Sequence, residues 1–474
     1  MGRQAWKKGV FLTVSLFSAA FFCRLERISR TVYLGERQEV TEEEAGTDQE
    51  ADLSERSTET ACQTETEQNT EKAAEAEKQA GRIRVLIRSD DFAELYHQEV
   101  RILCKKEAVL CEKDREEPLD EEEELRFSAA SSLKEGESVL LKGREEDGCF
   151  AWKGLKRGYE DPLFEGTLTI LRRKEGFLVI NELPLESYIR KVIPSEMPSS
   201  YPLEALKAQA VCARTYAVKQ MEVLRMEDGI PADVDDSVSY QVYNNQPESE
   251  RSRQAAEETR GQIMTENGEL VDALYYSTSC GIRMDQDLSL EPVFASFLSV
   301  KHENDYEKDE PWYRWNVYFP VEQLTGRAAE NGYGEIGNVT ELIPEKRESS
   351  GCLSVLTIMG STGNAKIEGE YAIRKFLNPG GLRVNLKNGE AAPELGMLPS
   401  AFFYLVPSYE GESLLGYEII GGGYGHGRGL SQNGARKMAE KGKTFLEILK
   451  YYYGEIELHD TLDTGDQSFI KKNQ

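Results

Sequence analysis

A short turn between two prolines lies directly ahead of a long alanine-rich helical pattern near the middle of this chain. Residues 193–198 read Ile-Pro-Ser-Glu-Met-Pro, and the helical pattern follows from 202. Proline fixes its own φ angle and restricts the residue before it, so Pro194 and Pro198 limit the conformations of the turn. A general acid must be held near its target and partly out of water. We therefore predict that Glu196 is a catalytic acid, the ordinary alternative being an exposed loop glutamate.

The helical pattern that follows carries two basic side chains on one face. Pro202 lies at the first turn, where helices tolerate proline, and alanine recurs through residue 217. Lys207 and Arg214 are seven residues apart, so they share a face of the helix. Arg214 is a candidate for substrate contact, and a salt bridge on a solvated face is the alternative.

A glycine-rich turn between a predicted strand and a predicted helix lies near the end of the chain. Residues 421–434 contain seven glycines but lack the lysine of a phosphate-binding loop and the spacing of a dinucleotide fingerprint. The glycines permit close backbone approach to a ligand and positive φ angles. They would present His426, Ser431 and Gln432, although Ser431 could instead cap the helix and His426 could be structural. No Ser-His-Asp or Cys-His arrangement can be built.

Charge excludes one large class of function. The net charge is −27, with 57 basic and 84 acidic residues. Two runs, at 36–78 and 112–124, supply about 18 of the excess negative charges and are typical of solvated or disordered segments. No basic patch with interleaved aromatic residues occurs, which argues against nucleic-acid binding.

The N-terminus predicts export. Basic residues flank an apolar run over 9–23, which is short for a membrane span but fits a signal-peptide core. We predict a signal-anchor or a signal peptide over 1–30. Residues 31–81 are rich in Glu, Thr, Gln and Ala and nearly free of aromatic residues, which predicts a disordered acidic linker.

The remaining pattern predicts an α+β fold. Alternating segments separated by Gly and Asp turns predict a β-rich region of antiparallel strands over 82–180, with the acidic run at 112–124 as a surface insertion. A mixed catalytic core with two prominent helices, one starting at 202 and one over 435–453, is predicted for 181–458, followed by a tail over 459–474. The β-rich region could be a separate domain or could pack onto the core.

The eight cysteines do not form a recognisable framework. None has CxxC spacing, which favours neither a dense disulfide scaffold nor a zinc finger. Cys104 and Cys111 could pair across a hairpin or remain free thiols.

Three segments together resemble the stage II sporulation protein D family. They are LPLESYIRKVIPSEMPSSYPLEALKAQAVCARTYAVKQ at 183–220, ALYYSTSCG at 273–281 and GGGYGHGRGLSQNGARKMAEKGKTFLEILKYYYG at 421–454. The resemblance spans about 82–458 and implies a membrane-anchored peptidoglycan lytic transglycosylase that acts in engulfment during sporulation. It assigns the catalytic acid to Glu196 and the active-site arginine to Arg214.

The resemblance also implies a substrate and a reaction. A lytic transglycosylase cleaves the MurNAc–GlcNAc bond by attack of the muramoyl C6 hydroxyl, so one Glu suffices where ordinary glycosidases need two carboxylates. Peptide-stripped glycan, a partner cell-wall amidase, membrane engulfment proteins and a mother-cell membrane location facing the intermembrane space follow from the resemblance alone. The residues predicted to bind substrate are Arg214, Lys207, Gln209, His426, Ser431, Gln432 and Tyr201.

The chain departs from the family pattern at one segment. Tyr276 stands where the family often has histidine, and Cys280 stands where the family has the first of two glycines. Some members bind zinc nearby, but Cys280 is one ligand where three or four are needed, so we predict no cofactor. Two alternatives are a non-catalytic glycan-binding enhancer of an amidase, which would not need Glu196 with Arg214, and a metal-dependent hydrolase, which HExxH or clustered ligands would indicate.

Overall fold

The computed structural model describes residues 81–144, 148–157, 161–222, 229–283, 286–300, 302 and 304–461. These residues contain 23 strands and eight α-helices. The predicted signal segment and most of the predicted acidic linker, at 1–80, lie outside the described residues, as does most of the predicted tail, at 462–474.

The helices are α1 (Leu185–Glu196), α2 (Leu203–Glu222), α3 (Glu250–Glu258), α4 (Glu291–Ser299), α5 (Val321–Glu330), α6 (Glu370–Phe376), α7 (Gln432–Glu440) and α8 (Phe445–Tyr453). The strands are β1 (Arg82–Ile87), β2 (Val100–Cys104), β3 (Ala108–Glu112), β4 (Arg115–Leu119), β5 (Glu124–Phe127), β6 (Ser138–Gly143), β7 (Cys149–Trp152), β8 (Leu163–Glu165), β9 (Thr167–Arg173), β10 (Gly176–Pro184), β11 (Val234–Asp235), β12 (Gln262–Glu266), β13 (Glu269–Leu270), β14 (Tyr275–Tyr276), β15 (Trp315–Pro320), β16 (Val339–Arg347), β17 (Leu353–Gly360), β18 (Asn364–Glu368), β19 (Asn385–Leu386), β20 (Phe403–Glu410), β21 (Ser413–Gly421), β22 (Leu430–Ser431) and β23 (Glu457–Asp460).

The first hydrophobic core joins the N-terminal strands to helices from two distant parts of the chain. A seven-stranded sheet runs in the order β11-β1-β10-β9-β6-β3-β4, antiparallel except for the β1–β11 pair. Helix α1 buries Leu185, Tyr188, Ile189, Val192 and Ile193, the spacing expected of a helix with one apolar face. Helices α2, α7 and α8 contribute to the same core, which therefore brings residues near 200 next to residues near 430.

The second core is built from residues 280–424. It contains a four-stranded sheet in the order β19-β15-β21-β20 and a three-stranded sheet in the order β16-β17-β18. The β-rich region and α1 share the first core, so of the two alternatives left open by the sequence the β-rich region packs onto the core. The chain leaves the first core after β14 and returns to it at β22, and the domain boundary at 181 stays a prediction.

The α+β class is confirmed by the antiparallel sheets and the helices. The acidic run at 112–124 lies at the surface, as predicted, since most of its residues are exposed. It also contributes to the sheets, because β4 pairs with β3, and β5, which begins at its last residue, pairs with β2. One local prediction is wrong. The predicted helix over 435–453 is two helices, since Gly442 has a φ of +81° and Thr444 starts α8 with a capping box to Glu447.

Two further findings concern cysteines and membranes. Cys104 and Cys111 are free thiols, which decides between the two alternatives for this pair. Across the described ranges, no helix is both long enough and apolar enough to span a bilayer.

Candidate functional site

Glu196 is the last residue of a helix, not part of a separate turn. Helix α1 continues through Pro194, and Met197 ends it in an extended conformation with its N–H bonded to the carbonyl of Ile193. The sequence prediction of a proline-bounded turn is therefore wrong in detail, because α1 continues through Pro194, which lacks the N–H for one helical hydrogen bond but does not end the helix. The rigidity expected for Glu196 comes from helical hydrogen bonds and packing.

A loop after β11 holds the end of α1 in place. The backbone N–H of Val242 donates to Glu196 Oε1 at 2.6 Å. Two residues further on, the Oδ1 of Asn244 accepts from the hydroxyl of Ser195 at 2.7 Å, and the amide of Gln246 donates to the carbonyl of Pro194. Alternate loop residues thus bind successive residues of α1, and no local signal near residue 196 indicates this loop.

The carboxyl group of Glu196 belongs to a short polar network. Besides the Val242 N–H, it accepts a hydrogen bond from the hydroxyl of Tyr275. The Tyr275 oxygen in turn accepts from Nε2 of Gln241 at 3.2 Å, and Oε1 of Gln241 accepts from Tyr188 at 3.2 Å. Burial raises the pKa of Glu196 to about 7, although both hydrogen bonds to it act in the opposite direction. The half-buried carboxyl group is therefore able to donate and accept a proton near neutral pH.

Arg214 does not lie beside Glu196. Its Nε and Nη2 atoms donate to the two carboxylate oxygens of Glu186, each at 2.7 Å, and Nη1 donates to the carbonyl of Gln262 at 3.2 Å. Its side chain is fully buried, and Glu186 lies ten residues before Glu196, about 15 Å along α1. The guanidinium of Arg214 is therefore enclosed and paired with Glu186 in this structure, and substrate contact by Arg214 stays a prediction.

The other predicted residues of α2 are also engaged or enclosed. The ammonium group of Lys207 pairs with Glu204 at 2.8 Å and with Glu258 at 2.5 Å, which joins α2 to α3. Gln209 is fully buried, and neither polar atom of its amide has a hydrogen-bond partner among the described residues. The structure therefore places neither residue on an open surface beside Glu196.

The glycine-rich turn passes close to other backbone segments. Gly427 and Gly429 have φ angles of +74° and +71°. A Cβ atom at Gly427 would overlap the ring of Phe402, and one at Gly429 would overlap the carbonyl oxygen of Leu274. Glycine is needed here for close approach within the protein as well as for the backbone conformation.

We expect Gly429→Ala to destabilise the protein more than Gly442→Ala. Both glycines have positive φ, but a Cβ at Gly442 would meet nothing within 4 Å. Gly442→Ala should cost about 1 kcal/mol from φ alone, and Gly429→Ala about 3 kcal/mol because it adds a backbone clash. Urea unfolding of both variants measures the difference, and equal losses would show that the contact with Leu274 is unimportant.

His426 is buried and bonded to backbone through both ring nitrogens. Its Nδ1 accepts from the N–H of Arg428 at 3.1 Å, so Nε2 carries the proton and donates to the carbonyl of Tyr275 at 3.0 Å. Burial lowers the pKa of His426 to about 3, so the ring is neutral. His426 therefore orients the residue whose hydroxyl contacts Glu196, and the prediction that it grips glycan is not what this geometry supports.

The residues that follow the turn connect helix α7 to the site. The hydroxyl of Ser431 accepts a hydrogen bond from the N–H of Gly434 and so caps α7. Helix capping, the alternative role given for Ser431 from the sequence, is therefore observed. Nε2 of Gln432 donates to the backbone carbonyl of Glu196 at 3.0 Å. The hydroxyl of Tyr201 donates to Asn433 Oδ1 at 2.6 Å, which joins the connection after α1 to the same helix. Of the residues predicted to bind substrate, Gln432 is the one that the structure brings into contact with Glu196.

A second buried carboxyl group lies on the other side of β14. Glu307 Oε1 accepts from the hydroxyl of Ser431 at 2.7 Å and from the N–H of Ser279 at 2.9 Å. Burial raises the pKa of Glu307 to about 8, and the nearby Asp305 and Glu310 add to the effect. Consecutive strand residues point to opposite faces, and Tyr276, after Tyr275, experiences the charge of Glu307.

Glu196 and Glu307 lie on opposite sides of β14. Tyr275 faces Glu196 and Tyr276 faces Glu307, so the strand separates the two groups. Glu307 serves the packing of α7 through Ser431. No pattern in the acidic stretch around residue 307 distinguishes this residue, which is why the sequence analysis missed it.

We expect Glu307→Gln to reduce the loss of stability with rising pH. A carboxyl group whose folded pKa is raised binds more protons in the folded state, so the free energy of unfolding falls as pH rises from about 4.3 to about 8. Glutamine can still accept from Ser431 and Ser279 but does not titrate. The slope should therefore fall by at most about 1.4 kcal/mol per pH unit, as measured by urea unfolding between pH 5 and 8. Exposed Glu335→Gln is the control, and equal slopes for wild type and Glu307→Gln would contradict the expectation.

Comparison with known proteins places this chain among bacterial sporulation proteins. Residues 173–265 match the family described as stage II sporulation protein, and residues 270–429 match a domain of unknown function. An uncharacterized protein of Brachyspira hyodysenteriae is 32% identical over 300 residues, which are 63% of this chain and 72% of that protein. Stage II sporulation protein D of Bacillus subtilis is 27% identical over 296 residues, 59% of this chain and 76% of that protein. The chain belongs to the stage II sporulation protein D family.

A third relative carries a different name. The amidase enhancer of Bacillus subtilis is 27% identical over 293 residues, which are 56% of this chain and 39% of that protein. The sporulation-protein match contains Glu196 and α2, while the match to the domain of unknown function contains Tyr275, Glu307 and His426. In this family member the candidate site is therefore assembled from both matched regions, with Gln432 lying after them.

Cys280, one of the two residues at which this family member departs from the expected pattern, is packed into the second core. Cys280 is buried, and burial raises its pKa to about 12. Within the described ranges, no group of three or more His, Cys, Asp or Glu residues is arranged to hold a metal ion. The absence of a cofactor stays a prediction.

Proposed function

We propose that this protein is a peptidoglycan lytic transglycosylase that cleaves the MurNAc–GlcNAc bond of peptide-stripped glycan strands, with Glu196 as its single acid and base. The observation that carries the proposal is the environment of Glu196. Its carboxyl group is half-buried, its pKa is raised to about 7, and two hydrogen bonds, from Val242 and Tyr275, orient it. Such a group supplies a proton and takes one back at neutral pH.

The reaction needs one proton donor and no water. The protonated Glu196 carboxyl group donates its proton to the glycosidic oxygen, and the bond from that oxygen to the muramoyl C1 breaks. The resulting carboxylate accepts the proton of the muramoyl C6 hydroxyl as its oxygen bonds to C1. The products are a 1,6-anhydro sugar and a new GlcNAc hydroxyl, and Glu196 ends protonated as it began. The position of Glu307 behind β14 is consistent with a single-carboxylate mechanism.

The surrounding residues position Glu196 instead of reacting. Val242 and Tyr275 orient the carboxyl group, His426 holds the backbone of Tyr275, and Gln432 holds the carbonyl of Glu196. These residues restrict the acid to one orientation, which is what positioned catalysis requires. We expect the exposed side of the Glu196 carboxyl group to contact the glycan.

Family membership supports a proposal for the biological setting. Members named stage II sporulation protein D support a role in sporulation. We propose that the chain is exported and anchored by its N-terminal segment, and that it acts on the wall during engulfment together with membrane engulfment proteins and a cell-wall amidase that removes stem peptides.

Mass analysis of products tests the reaction. Purified protein is incubated with peptide-free glycan strands, and the soluble products are compared with those of a muramidase. Products that end in 1,6-anhydro-MurNAc are expected, each 18 Da lighter than the hydrolytic equivalent. Reducing ends formed by addition of water would make the protein a hydrolase and would overturn the proposal.

A second function is favoured by one relative. The Bacillus subtilis protein named amidase enhancer shares 27% identity with this chain, so a glycan-binding enhancer of a cell-wall amidase is the alternative. Glycan binding without any cleavage, together with faster peptide release by an added amidase, would support that alternative.

A further inference from the structure

The four-stranded sheet of the second core has an open face. Val317, Phe319 and Ile419 of its strands lie in the core. Because strand residues alternate between faces, the intervening residues lie on the opposite face of the sheet, where Tyr404 is partly buried against the edge of the second core. In register across the strands, these form one row of Asn385, Asn316, Ile420 and Tyr404 and a second row of Tyr318, Glu418 and Val406. Tyr318 and Val406 are 39% and 41% exposed.

A cleft of about 560 Å³ covers the first of these rows. One wall is the end of α4 and the residues after it, 298–300, and the other walls are 313–315 and 386–387. Among the described residues, those that line the cleft include Arg314 and Lys387 but no Asp or Glu. In a chain with 84 acidic and 57 basic residues, a cleft whose described lining carries two cations and no carboxylate favours a ligand that carries negative charge.

The two cations have different environments. The guanidinium of Arg314 donates to the carbonyls of Leu298, Cys280 and Val300 at 2.8, 2.9 and 3.3 Å, so it builds the wall. The ammonium of Lys387 forms an ion pair with the exposed carboxylate of Asp309 at 3.7 Å and lies 5.3 Å from the ring centre of Tyr313. Exposed ion pairs contribute little free energy, so Lys387 is the cation of the cleft that an incoming anion can recruit from Asp309.

The other lining residues suit a sugar. Nδ2 of Asn385 donates to Oδ1 of Asn316 at 2.8 Å, which fixes a pair of amides at the floor of the cleft. Tyr404 supplies an aromatic ring, with its hydroxyl 3.4 Å from the hydroxyl of Ser299. An aromatic face with a few placed amides and one charge is the usual composition of a site for a polar, partly apolar ligand.

We infer that this cleft binds a carboxylate-bearing sugar of the glycan strand, with Lys387 on the carboxylate, Tyr404 against the sugar ring and the Asn316–Asn385 pair on an amide or hydroxyl group. The identity of the polymer rests on the proposed function. In peptide-stripped glycan the muramoyl residue carries such a carboxylate on its lactyl group. Ile420 in the cleft and Gln432 at Glu196 are twelve residues apart, at most about 40 Å. The residues that line the cleft include neither Glu196 nor the residues bonded to it, so the proposed sugar site is separate from the bond that is cut.

Binding measurements with a cleavage-deficient full chain test the inference. In a Glu196→Gln background, affinity is measured for peptide-free glycan oligomers and for N-acetylglucosamine oligomers of the same length, which lack the carboxylate. Tighter binding of the muramoyl oligomer is expected. Lys387→Gln should weaken it about tenfold and leave the N-acetylglucosamine oligomer unchanged, whereas Tyr404→Ala should weaken both. Lys375→Gln, an exposed lysine on α6, is the matched control and should change neither.

The outcomes separate this inference from the proposed function. Equal binding of muramoyl oligomers by Lys387→Gln and its parent, with both folded by thermal melting, would overturn the inference even if the protein forms anhydro products. Displacement of the bound muramoyl oligomer by a free stem peptide would also overturn the inference, because the cleft would then recognise peptide. Loss of discrimination between the two oligomers in Lys387→Gln supports the inference whether or not cleavage occurs.

Discussion

Glu196→Gln is expected to lower the rate of glycan cleavage by about 10³-fold or more while leaving the fold intact. Glutamine has the size of glutamate and can still accept from the N–H of Val242 and bond to Tyr275. It cannot give up a proton to the glycosidic oxygen. The measurement is the initial rate of release of anhydro-sugar products at pH 6, with glycan binding measured in parallel.

The pH dependence provides an independent check on the same residue. The reaction starts from the protonated carboxyl group, whose pKa is about 7, so the wild-type rate should be constant at low pH and fall as pH rises through about 7. An exposed carboxyl group would lose its proton near pH 4.3. A rate that falls near pH 4, or a Glu196→Gln variant with more than a tenth of wild-type activity, would remove Glu196 from the role of acid.

Arg214→Met is expected to produce the largest loss of stability among the predicted site residues, about 3–5 kcal/mol. The substitution keeps most of the side-chain volume but leaves the carboxylate of Glu186 with no guanidinium partner in a largely enclosed position. The free energy of unfolding in urea measures the loss. The double variant Arg214→Met with Glu186→Gln should recover part of it, because the unpaired charge is removed.

The double variant also decides between a structural and a substrate-binding role. If Arg214 only joins α2 to α1, the folded double variant should cleave glycan at a rate near that of wild type. If it were stable but bound glycan at least tenfold more weakly, Arg214 would contact substrate in a conformation different from this one. The buried guanidinium favours the first result.

The candidate acid could be predicted from sequence because its signal is local. The motif around Glu196 and the helix after it are contiguous, and the strand at 83–87 and the helix from 203 follow from hydrophobic pattern and alanine content. The glycine-rich turn is also local, since its glycines have positive φ angles that other residues rarely adopt. Pattern and composition were sufficient to place these segments.

The partners of these residues could not be predicted in the same way. The loop containing Val242 lies 46 residues beyond Glu196, and Gln432 lies 236 residues beyond it. The spacing of Lys207 and Arg214 predicts that they share a helix face, but each is paired with a carboxylate from another part of the fold. Sequence spacing indicates which side chains share a face, and it does not indicate what packs against that face.

The sequence by itself determined the α+β class, the segment that carries the acid and the glycine-rich turn near the end of the chain. These features depend on propensity and periodicity, which act over a few residues. Tertiary structure alone decided that Glu196 has a pKa near 7, that His426 supports Tyr275, and that β14 separates Glu196 from Glu307. The physical reason is that desolvation and hydrogen bonding depend on every segment packed around a group. For Glu196 those segments include residues near 242, 275 and 432, which meet only when the first hydrophobic core forms.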